Sequence, residues 1–344
     1  ELVAAMRLGA ETMASQGVVE VFDAGFLTPP GVVNLGDDLE RYLDTSDEWI
    51  VERTGIRQRR IAAATETLVS YTLAASRQAM ERAGVTADQV DGIVFATVTP
   101  DRRLPSAACD LQAALGAKRA WAMDVVAACP GWVYALTVAE GMMATGQGDT
   151  ILVIGAEKLS TITDAQDRST AILFGDGAGA CILQRTQPGD DRGVLATYLG
   201  ADGDLADLLY IPAGGAAEPL TDAVLRDKRH LMRMAGREVF KAAVLAMSRS
   251  TDEAIRRAGL PPEAIDLLVP HQANLRIIEA TAKHAGIGMD KVMVNLDRYG
   301  NTSSASIPLA LVQAEAEGRL KPGMIVMLVA FGAGFTWGSV VLRW

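Results

Sequence analysis

Three residues of this sequence are of types that together can move an acyl group: Cys129 in "DVVAACPGWVYAL", His271 in "VPHQANLRI" and Asn301 in "RYGNTSSAS". Cys129 stands between a β-type run and a run with helical periodicity, and Pro130, a residue favoured in a helix's first turn, follows it directly. A helix N-terminus presents unpaired N–H groups and the positive end of the dipole, which favours a thiolate. A thiolate so placed suits attack on a thioester or other acyl group. The competing reading of a free cysteine is a small buried hydrophobe. Cys109 in "PSAACDLQAALG" and Cys181 in "GDGAGACILQ" are read as core residues of that kind. His271 is either a satisfied structural histidine or, beside a cysteine nucleophile, a proton or hydrogen-bond donor. Histidines occur only at 230, 271 and 284, with no i, i+3 or i+4 pair, which argues against a metal site. Asn301 either caps the following helix or holds a turn after Gly300, or it donates its amide to a developing oxyanion. "FGAGFTWG" near the C-terminus exposes backbone N–H groups with little side-chain bulk, which suits an oxyanion hole and equally a turn.

The elements that must carry these residues are repeated. "AMERAGVTADQVDGIVFA" (Ala79 to Ala96) aligns without gaps on "AIRRAGLPPEAIDLLVPH" (Ala254 to His271), at an offset of 175. Both read as helix, glycine stop, short turn and apolar strand. The same offset carries "GDTILVIGA" onto "GMIVMLVAF", and Cys129 onto Ser304. Runs this apolar, alternating with helices, predict strands covered on both faces and hence a mainly parallel sheet in each of two related halves. Ligand chemistry in such sheets gathers beyond the C-terminal edges of the strands. A pseudo-twofold between the halves would therefore draw Cys129, His271 and Asn301 to one place.

The bulk numbers narrow the class. With 344 residues, 49% of them apolar, the chain can bury a large core. A formal charge of −10 lacks the basic footprint of a nucleic-acid binder. Three cysteines neither pair off nor form a ligand cluster, and no signal-like segment is evident, so a reduced, cytoplasmic setting is expected. The longest apolar stretch, "MIVMLVAFGAGF", is too short to span a bilayer, and no membrane association is expected. Residues 1–17 are read as an N-terminal extension, with no fold role for "ELVAAMRLGAETM". "FGDGAGA" (Phe174 to Ala180) is not the dinucleotide fingerprint and is read as tight turns. In "RDKRHLMRMAGREVFK", Arg233, Arg237 and Lys241 recur every four residues, as on one helix face, either solvated or docking a phosphate or acidic partner.

The set "DTSDEWIVERTGIRQRRIA", "PSAAC", "DVVAACPGWVYAL", "FGDGAGA", "VPHQANLRI", "GNTSSASIPLAL" and "FGAGFTWGSVVLRW" resembles the β-ketoacyl-[acyl-carrier-protein] synthase III family, from about Val18 to Trp344. The resemblance implies an α/β thiolase fold, with two pseudo-twofold-related halves, 18–190 and 191–344, forming a five-layered αβαβα core. It implies an acyltransferase that condenses an acyl-coenzyme A primer with malonyl-acyl-carrier protein, releasing coenzyme A and CO2 to initiate fatty acid synthesis. No cofactor is implied, acyl-coenzyme A and acyl carrier protein being substrate and partner, and the family works as a homodimer. Cys129 would be the acyl-accepting nucleophile, His271 and Asn301 the donors to the malonyl thioester, and the backbone N–H groups of Cys129 and Ala333 the oxyanion hole. Trp49 and Arg168 would sandwich the coenzyme A adenine, with Arg53 near its phosphates and Asn274 near the pantetheine; Arg237, a departure where some relatives have Asn, would add charge near those phosphates. Lys241, Arg276 and Lys283 would receive the acidic carrier protein.

Several positions depart from the family pattern. Leu104 stands where many relatives carry a Phe that closes the partner subunit's acyl pocket, which predicts tolerance of branched or longer primers. Pro130 and Trp132 replace the residues that more often follow the cysteine, so a different pocket floor is expected. "VFDAGFLTP" alters the usual glycine-rich first strand. A specialised acyltransferase of secondary metabolism on the same fold is the alternative function. A non-catalytic paralogue is disfavoured because all three reactive residues are present, and the absence of a second cysteine in "FGAGF" disfavours a non-decarboxylating thiolase.

Overall fold

Two mixed sheets with helices between them and on both outer sides make up the computed structural model, which describes residues 43–186 and 191–344 together with Met6–Arg7, Val32–Asn34 and Leu39. The first sheet contains β1 (Met6–Arg7), β2 (Gly92–Ala96), β3 (Trp121–Val125), β4 (Thr150–Glu157) and β5 (Gly177–Arg185), in the spatial order β1-β5-β4-β2-β3. The second contains β6 (Gly193–Ala201), β7 (Leu267–Pro270), β8 (Ile325–Gly332) and β9 (Thr336–Arg343), in the order β7-β8-β9-β6. The long helices are α1 (Asp47–Thr54), α2 (Leu68–Ala83), α3 (Ala107–Leu115), α4 (Gly131–Ala144), α5 (Gly236–Ala258), α6 (Leu275–His284) and α7 (Ser306–Ala316). Helices α2 and α3 cover the outer face of the first sheet, α4 and α7 lie between the sheets, and α5 covers the outer face of the second with α6 against it. This is a five-layered αβαβα stack.

Strand pleating sorts the residues of β2 and β4 into different layers. Ile93, Phe95, Leu152 and Ile154 face α2 and α3, whereas Val94, Ala96, Ile151 and Val153 join the central core with Leu136 of α4 and Leu311 of α7. Burial on both faces is why these strands read as continuous apolar runs.

The 175-residue repeat is physical. Strand β4 maps end for end onto β8, and the left-handed glycine stops Gly84 and Gly259 (φ +64° and +66°) stand in matching places. Ala128 and Ser303, also 175 apart, both adopt φ +49°, a conformation that costs non-glycine residues of order 1–3 kcal/mol.

The expectation of mainly parallel sheets is corrected. Pairs β2–β3, β2–β4 and β7–β8 are parallel, but β1–β5, β4–β5, β8–β9 and β9–β6 are antiparallel. Only three residues separate β8 from β9, a link that permits a hairpin and no parallel crossover. Within the segment given no fold role, Met6 and Arg7 pair with Arg185 and Gln184 at the sheet edge. The stretch "VFDAGFLTP" and the rest of that segment lie outside the described residues.

"FGDGAGA" is not a set of tight turns. Gly177 and Gly179 belong to strand β5, where a Cβ on Gly179 would lie 2.7 Å from Pro308 of α7, and one on Gly175 2.7 Å from the Tyr299 carbonyl. The glycines let the second half approach the first. Arg233 is not on the helix with Arg237 and Lys241, because it lies in the short strand Arg233–Met234 and α5 starts at Gly236. Cys109 is exposed on α3, contrary to its core reading, whereas Cys181 is buried in β5.

Candidate active site

Cys129 occupies a tight turn between β3 and α4, where Gly131 N–H donates to the Ala128 carbonyl at 2.8 Å. Pro130 takes the N-cap position, so the thiol stands just before the helix rather than in its first turn. Burial pushes the thiol up to about 12, with the nearby Ser303 hydroxyl pulling the other way. Burial and the helix terminus therefore act on the thiol in opposite directions. Trp132 does not form a pocket floor; it is fully buried in the central core.

His271 directly follows β7, and its N–H donates to the Val329 carbonyl at 2.8 Å. Nδ1 lies 2.6 Å from Ser306 Oγ, which accepts the Gln272 N–H at 3.4 Å. The Ser306 proton is therefore free to point at Nδ1, and the ring proton is assigned to Nε2. Burial lowers the imidazole to about 3, so it is neutral at pH 7. Nε2 is buried without a hydrogen-bond partner among the described residues. Gln272 fixes the loop: its Nε2 donates to the Pro270 and Met293 carbonyls at 2.7 and 3.1 Å, and its Oε1 accepts Asn295 and Leu296 N–H at 2.9 and 3.2 Å.

Asn301 holds a turn after Gly300, as the first of its readings expects. Its Oδ1 accepts Ser303 N–H at 2.9 Å, holding the turn, while its backbone bridges to Leu173 O (2.8 Å) and Gly175 N (3.0 Å). That leaves the Nδ2 donor for the cavity that Asn301 lines with Cys129 and His271. This cavity, about 730 Å³ with its open mouth, is also walled by Phe331, Gly332 and Asn274. A second, apolar cavity of about 680 Å³ is lined by Val98, Leu159, Ile162, Met232 and Ala333. Cys129, Phe174 and Leu209 border both, so the sulfur stands where two arms meet. Gly332 abuts the turn, and a Cβ there would lie 2.8 Å from Cys129 N. The N–H groups of Cys129 and Ala333 form no hydrogen bond with any described residue.

At the mouth, Asn274 caps α6 by accepting Arg276 N–H at 2.9 Å, and its Nδ2 donates to the Arg53 carbonyl at 3.0 Å. Arg53 and Arg168 both sit on the Trp49 ring, 4.9 and 4.7 Å from its centroid. A flat ring can enter between Arg168 and Trp49 only if they part, since two stacked contacts need about 7 Å. Arg237 and Lys241 are exposed on the first turns of α5, and Arg276 and Lys283 on α6, where Arg276 donates to the Glu52 carbonyl at 3.1 Å. Leu104 is 85% exposed and lines neither cavity of its own chain. No group of residues is arranged to hold a metal among the described residues.

Sequence reasoning missed Ser306, Ser303 and Glu157. The signals were an acidic residue closing the apolar run "TILVIGAE", and a serine-rich turn just after Asn301.

The models for 3-oxoacyl-[acyl-carrier-protein] synthase III and for its C-terminal part match residues 123–203 and 255–344. The chain is 51% identical, over 92% of its length and 99% of the relative's, to β-ketoacyl-[acyl-carrier-protein] synthase III of Symbiobacterium thermophilum. It is similar to the crystal structure of 3-oxoacyl-[acyl-carrier-protein] synthase III from Aquifex aeolicus (TM-score 0.83, 45% identity, covering 91% and 96% of the two chains). It is also similar to the priming β-ketosynthase of the R1128 polyketide pathway (TM-score 0.85, 31% identity, 100% and 98% covered).

Proposed function

The chain belongs to the 3-oxoacyl-[acyl-carrier-protein] synthase III family and is a condensing acyltransferase of fatty acid synthesis, and from that premise we propose how its residues divide the reaction. The Cys129 sulfur attacks the carbonyl of an acyl-coenzyme A primer, the thioester bond breaks, and coenzyme A leaves. The acyl chain lies in the apolar arm beside Val98, Leu159 and Met232. Malonyl-carrier protein then reaches in through the other arm. His271 Nε2–H and Asn301 Nδ2–H stabilise the enolate formed as CO2 departs, each donor supplying about 3 kcal/mol. The carbanion attacks the acyl-cysteine, with the oxyanion on the N–H groups of Cys129 and Ala333. The observation that carries this reading is a cysteine at the junction of two cavities, one of which is lined by an imidazole whose Nε2 is buried without a partner among the described residues.

The coenzyme A adenine would displace Arg168 from Trp49, with Arg53 and Arg237 near the phosphates and Asn274 along the pantetheine. Lys241, Arg276 and Lys283 would meet the acidic carrier. The working unit would be a homodimer in which Leu104 closes the partner's apolar arm. Among the described residues no helix is long and apolar enough to cross a membrane, and all three cysteines are free, which supports action in the reducing cytoplasm. The second reading, a specialised synthase of secondary metabolism, is supported by the smaller Leu104 gate.

Incubation with a panel of acyl-coenzyme A primers and intact-mass analysis tests the proposal. One acyl adduct on wild type and none on Cys129→Ala is the expected result, followed by CO2 release with malonyl-carrier protein. An adduct on the Ala variant would overturn the nucleophile, and acyl transfer without CO2 would favour the second reading.

A further inference from the structure

The two N–H groups assigned to the oxyanion come from different halves of the molecule. Cys129 closes the turn 127–129 that follows β3, and Ala333 opens the tip of the β8–β9 hairpin. Neither N–H has a partner among the described residues, so no bond to the donors themselves sets their aim. Two donors stabilise one oxygen only if both point at the place where its charge develops, and the two segments must therefore be held against each other.

Each segment is first fixed within its own half. In the turn, Gly131 N–H donates to the Ala128 carbonyl at 2.8 Å, which orients the peptide carrying Cys129 N–H, and Ala128 itself sits at φ +49°. In the hairpin tip, Phe335 is fully buried against Phe331, ring centroids 4.7 Å apart, and exchanges two backbone hydrogen bonds with Asp202, both at 2.8 Å. Among the described residues one hydroxyl bonds both segments. Thr336 Oγ1 lies 3.0 Å from the Ala127 carbonyl and 3.0 Å from the Ala333 carbonyl, and donates to both. A hydroxyl has one proton, so equal distances describe a shared, three-centre bond. Its two acceptors are the carbonyl just ahead of Ala128 and the carbonyl of Ala333 itself.

The pseudo-twofold separates what belongs to the fold from what belongs to the site. At the offset of 175 residues the counterpart of Thr336 is Thr161, and that of Ala333 is Lys158. Thr161 Oγ1 donates to the Lys158 carbonyl at 2.7 Å, so the local bond exists in both halves. The bond to the neighbouring turn does not. Thr161 is exposed, and among the described residues its hydroxyl makes only the local bond. The counterpart of Ala127 is Thr302, whose carbonyl accepts Ala305 N–H at 3.1 Å instead. The tie between turn and hairpin tip thus occurs in the half that faces the sulfur, where the local bond is also longer, as a shared proton requires.

We propose that Thr336 is a positioning residue, whose hydroxyl aims the Cys129 and Ala333 N–H groups at a single oxygen by tying the nucleophile turn of one half to the hairpin tip of the other. This rests on Cys129 being the nucleophile and on those two N–H groups forming the oxyanion hole. Thr336 lines neither cavity, so it acts through the backbone. An oxyanion forms twice, when the sulfur attacks acyl-coenzyme A and when the enolate attacks the acyl-cysteine, and both steps use the tie. Loss of CO2 does not, because His271 and Asn301 serve it. An enolate that forms on schedule but attacks slowly takes a proton from water instead, and leaves as acetyl-carrier protein.

Thr336→Val keeps the shape of the side chain and removes its proton. Single-turnover loading of the full chain from acetyl-coenzyme A, read by intact mass, should slow at least about tenfold, short of the roughly hundredfold or more that outright loss of an oxyanion donor costs. Alkylation of Cys129 by iodoacetamide, which builds no oxyanion, should stay within about twofold of wild type. With the acylated variant and malonyl-carrier protein, acetyl-carrier protein should rise against the ketoacyl product by the factor lost in loading. Thr336→Ser restores the hydroxyl and should recover both. Should Thr336→Val not fold in thermal unfolding, Thr336→Ala takes its place with the same expectations. The proposal is overturned if a folded variant without the hydroxyl loads at the wild-type rate or keeps the wild-type product ratio. It is equally overturned if alkylation falls as far as loading, which puts the defect at the sulfur, or if Thr336→Ser loads as slowly as Thr336→Val. Loading of Cys129→Ala would instead mark failure of the nucleophile itself.

Discussion

His271 pairs Nδ1 with Ser306 and leaves Nε2 buried without a partner among the described residues, and the proton assigned to Nε2 depends on Ser306 donating to Nδ1. Replacing Ser306 by Ala leaves Nδ1 free to carry the proton, which withdraws the donor from the enolate. CO2 release from malonyl-carrier protein should slow at least tenfold, given what one oxyanion donor supplies. Acyl loading of Cys129 should stay within twofold, because loading does not use Nε2–H. Equal losses in both half-reactions would mean that Ser306 merely holds the loop together. Two of the buried titratable groups also make opposite demands on stability. Glu157 moves from 4.5 to about 7, so the folded state keeps a proton that the unfolded chain has lost, and stability falls as pH rises through that window. His271 moves from 6.5 to about 3, so the unfolded chain takes a proton that the fold refuses, and stability falls as pH drops through that window. Glu157→Gln removes only the first effect. A tenfold change in proton affinity is worth about 1.4 kcal/mol, so the variant should gain on wild type by up to about 3 kcal/mol between pH 4.5 and 7 in denaturant unfolding. A difference that stays constant across the window would show that this carboxyl does not titrate there.

The turn elements are held to tolerances of less than one methyl group. Adding a Cβ at Gly332 puts it 2.8 Å from Cys129 N and Cβ, and also 2.8 Å from Pro130 Cδ, none of them the movable end of a side chain. Gly332→Ala should therefore cost about 1–3 kcal/mol in thermal or denaturant unfolding, the usual range for overpacking. Acyl loading should fall further, about a hundredfold, because the sulfur is displaced from its attack geometry. Loading at the wild-type rate would mean that the turn adjusts without moving Cys129. This level of structure was partly legible in the sequence. The 175-residue offset located both glycine stops, both central strands and the matching of Cys129 with Ser304, because helix stops and strand burial are written in local residue types. Strand direction was not legible, since Leu328 is as apolar in an antiparallel pair as in a parallel one, and the length of the connection decides. The burial of the thiol was hidden for a related reason: a helix start is visible in "CPGWVYAL", but the residues that bury Cys129 come from segments far along the chain. Arg233 kept the four-residue spacing of Arg237 and Lys241, yet its side of the boundary depends on pairing with Tyr210. Glu157 looked like the polar end of a strand because its five donors, Thr97, Val98, Thr99, Ser303 and Ser304, come from the loop after β2 and the serine turn.

At the scale of the whole molecule, one edge of the first sheet is unfinished. Strand β3 pairs only with β2 among the described residues, its five side chains are half-buried, and Val126 just beyond it is 77% exposed. Free edges of this kind invite pairing, and self-pairing across a twofold is the common closed solution. Asp124 of β3 accepts Ala107 and Ala108 N–H, both at 2.8 Å, which ties the loop bearing Leu104 to that edge. Two chains joined along β3 would present each exposed Leu104 to the other, and an apolar side chain 85% exposed on a lone chain would become a pocket wall. Val126→Asp should sediment as a monomer where wild type sediments as the proposed dimer, and activity should fall with it. The role of Leu104 can be read separately from assembly. Mixing wild type with a chain carrying both Leu104→Phe and Cys129→Ala leaves only the wild-type sulfur to be loaded. In the mixed dimers the primer profile of that sulfur should shift toward acetyl by about tenfold, the scale of a one-methylene change in an apolar pocket. An unchanged profile in the mixture, with a shifted one in Leu104→Phe alone, would put Leu104 in its own subunit's pocket and sink the shared-wall arrangement.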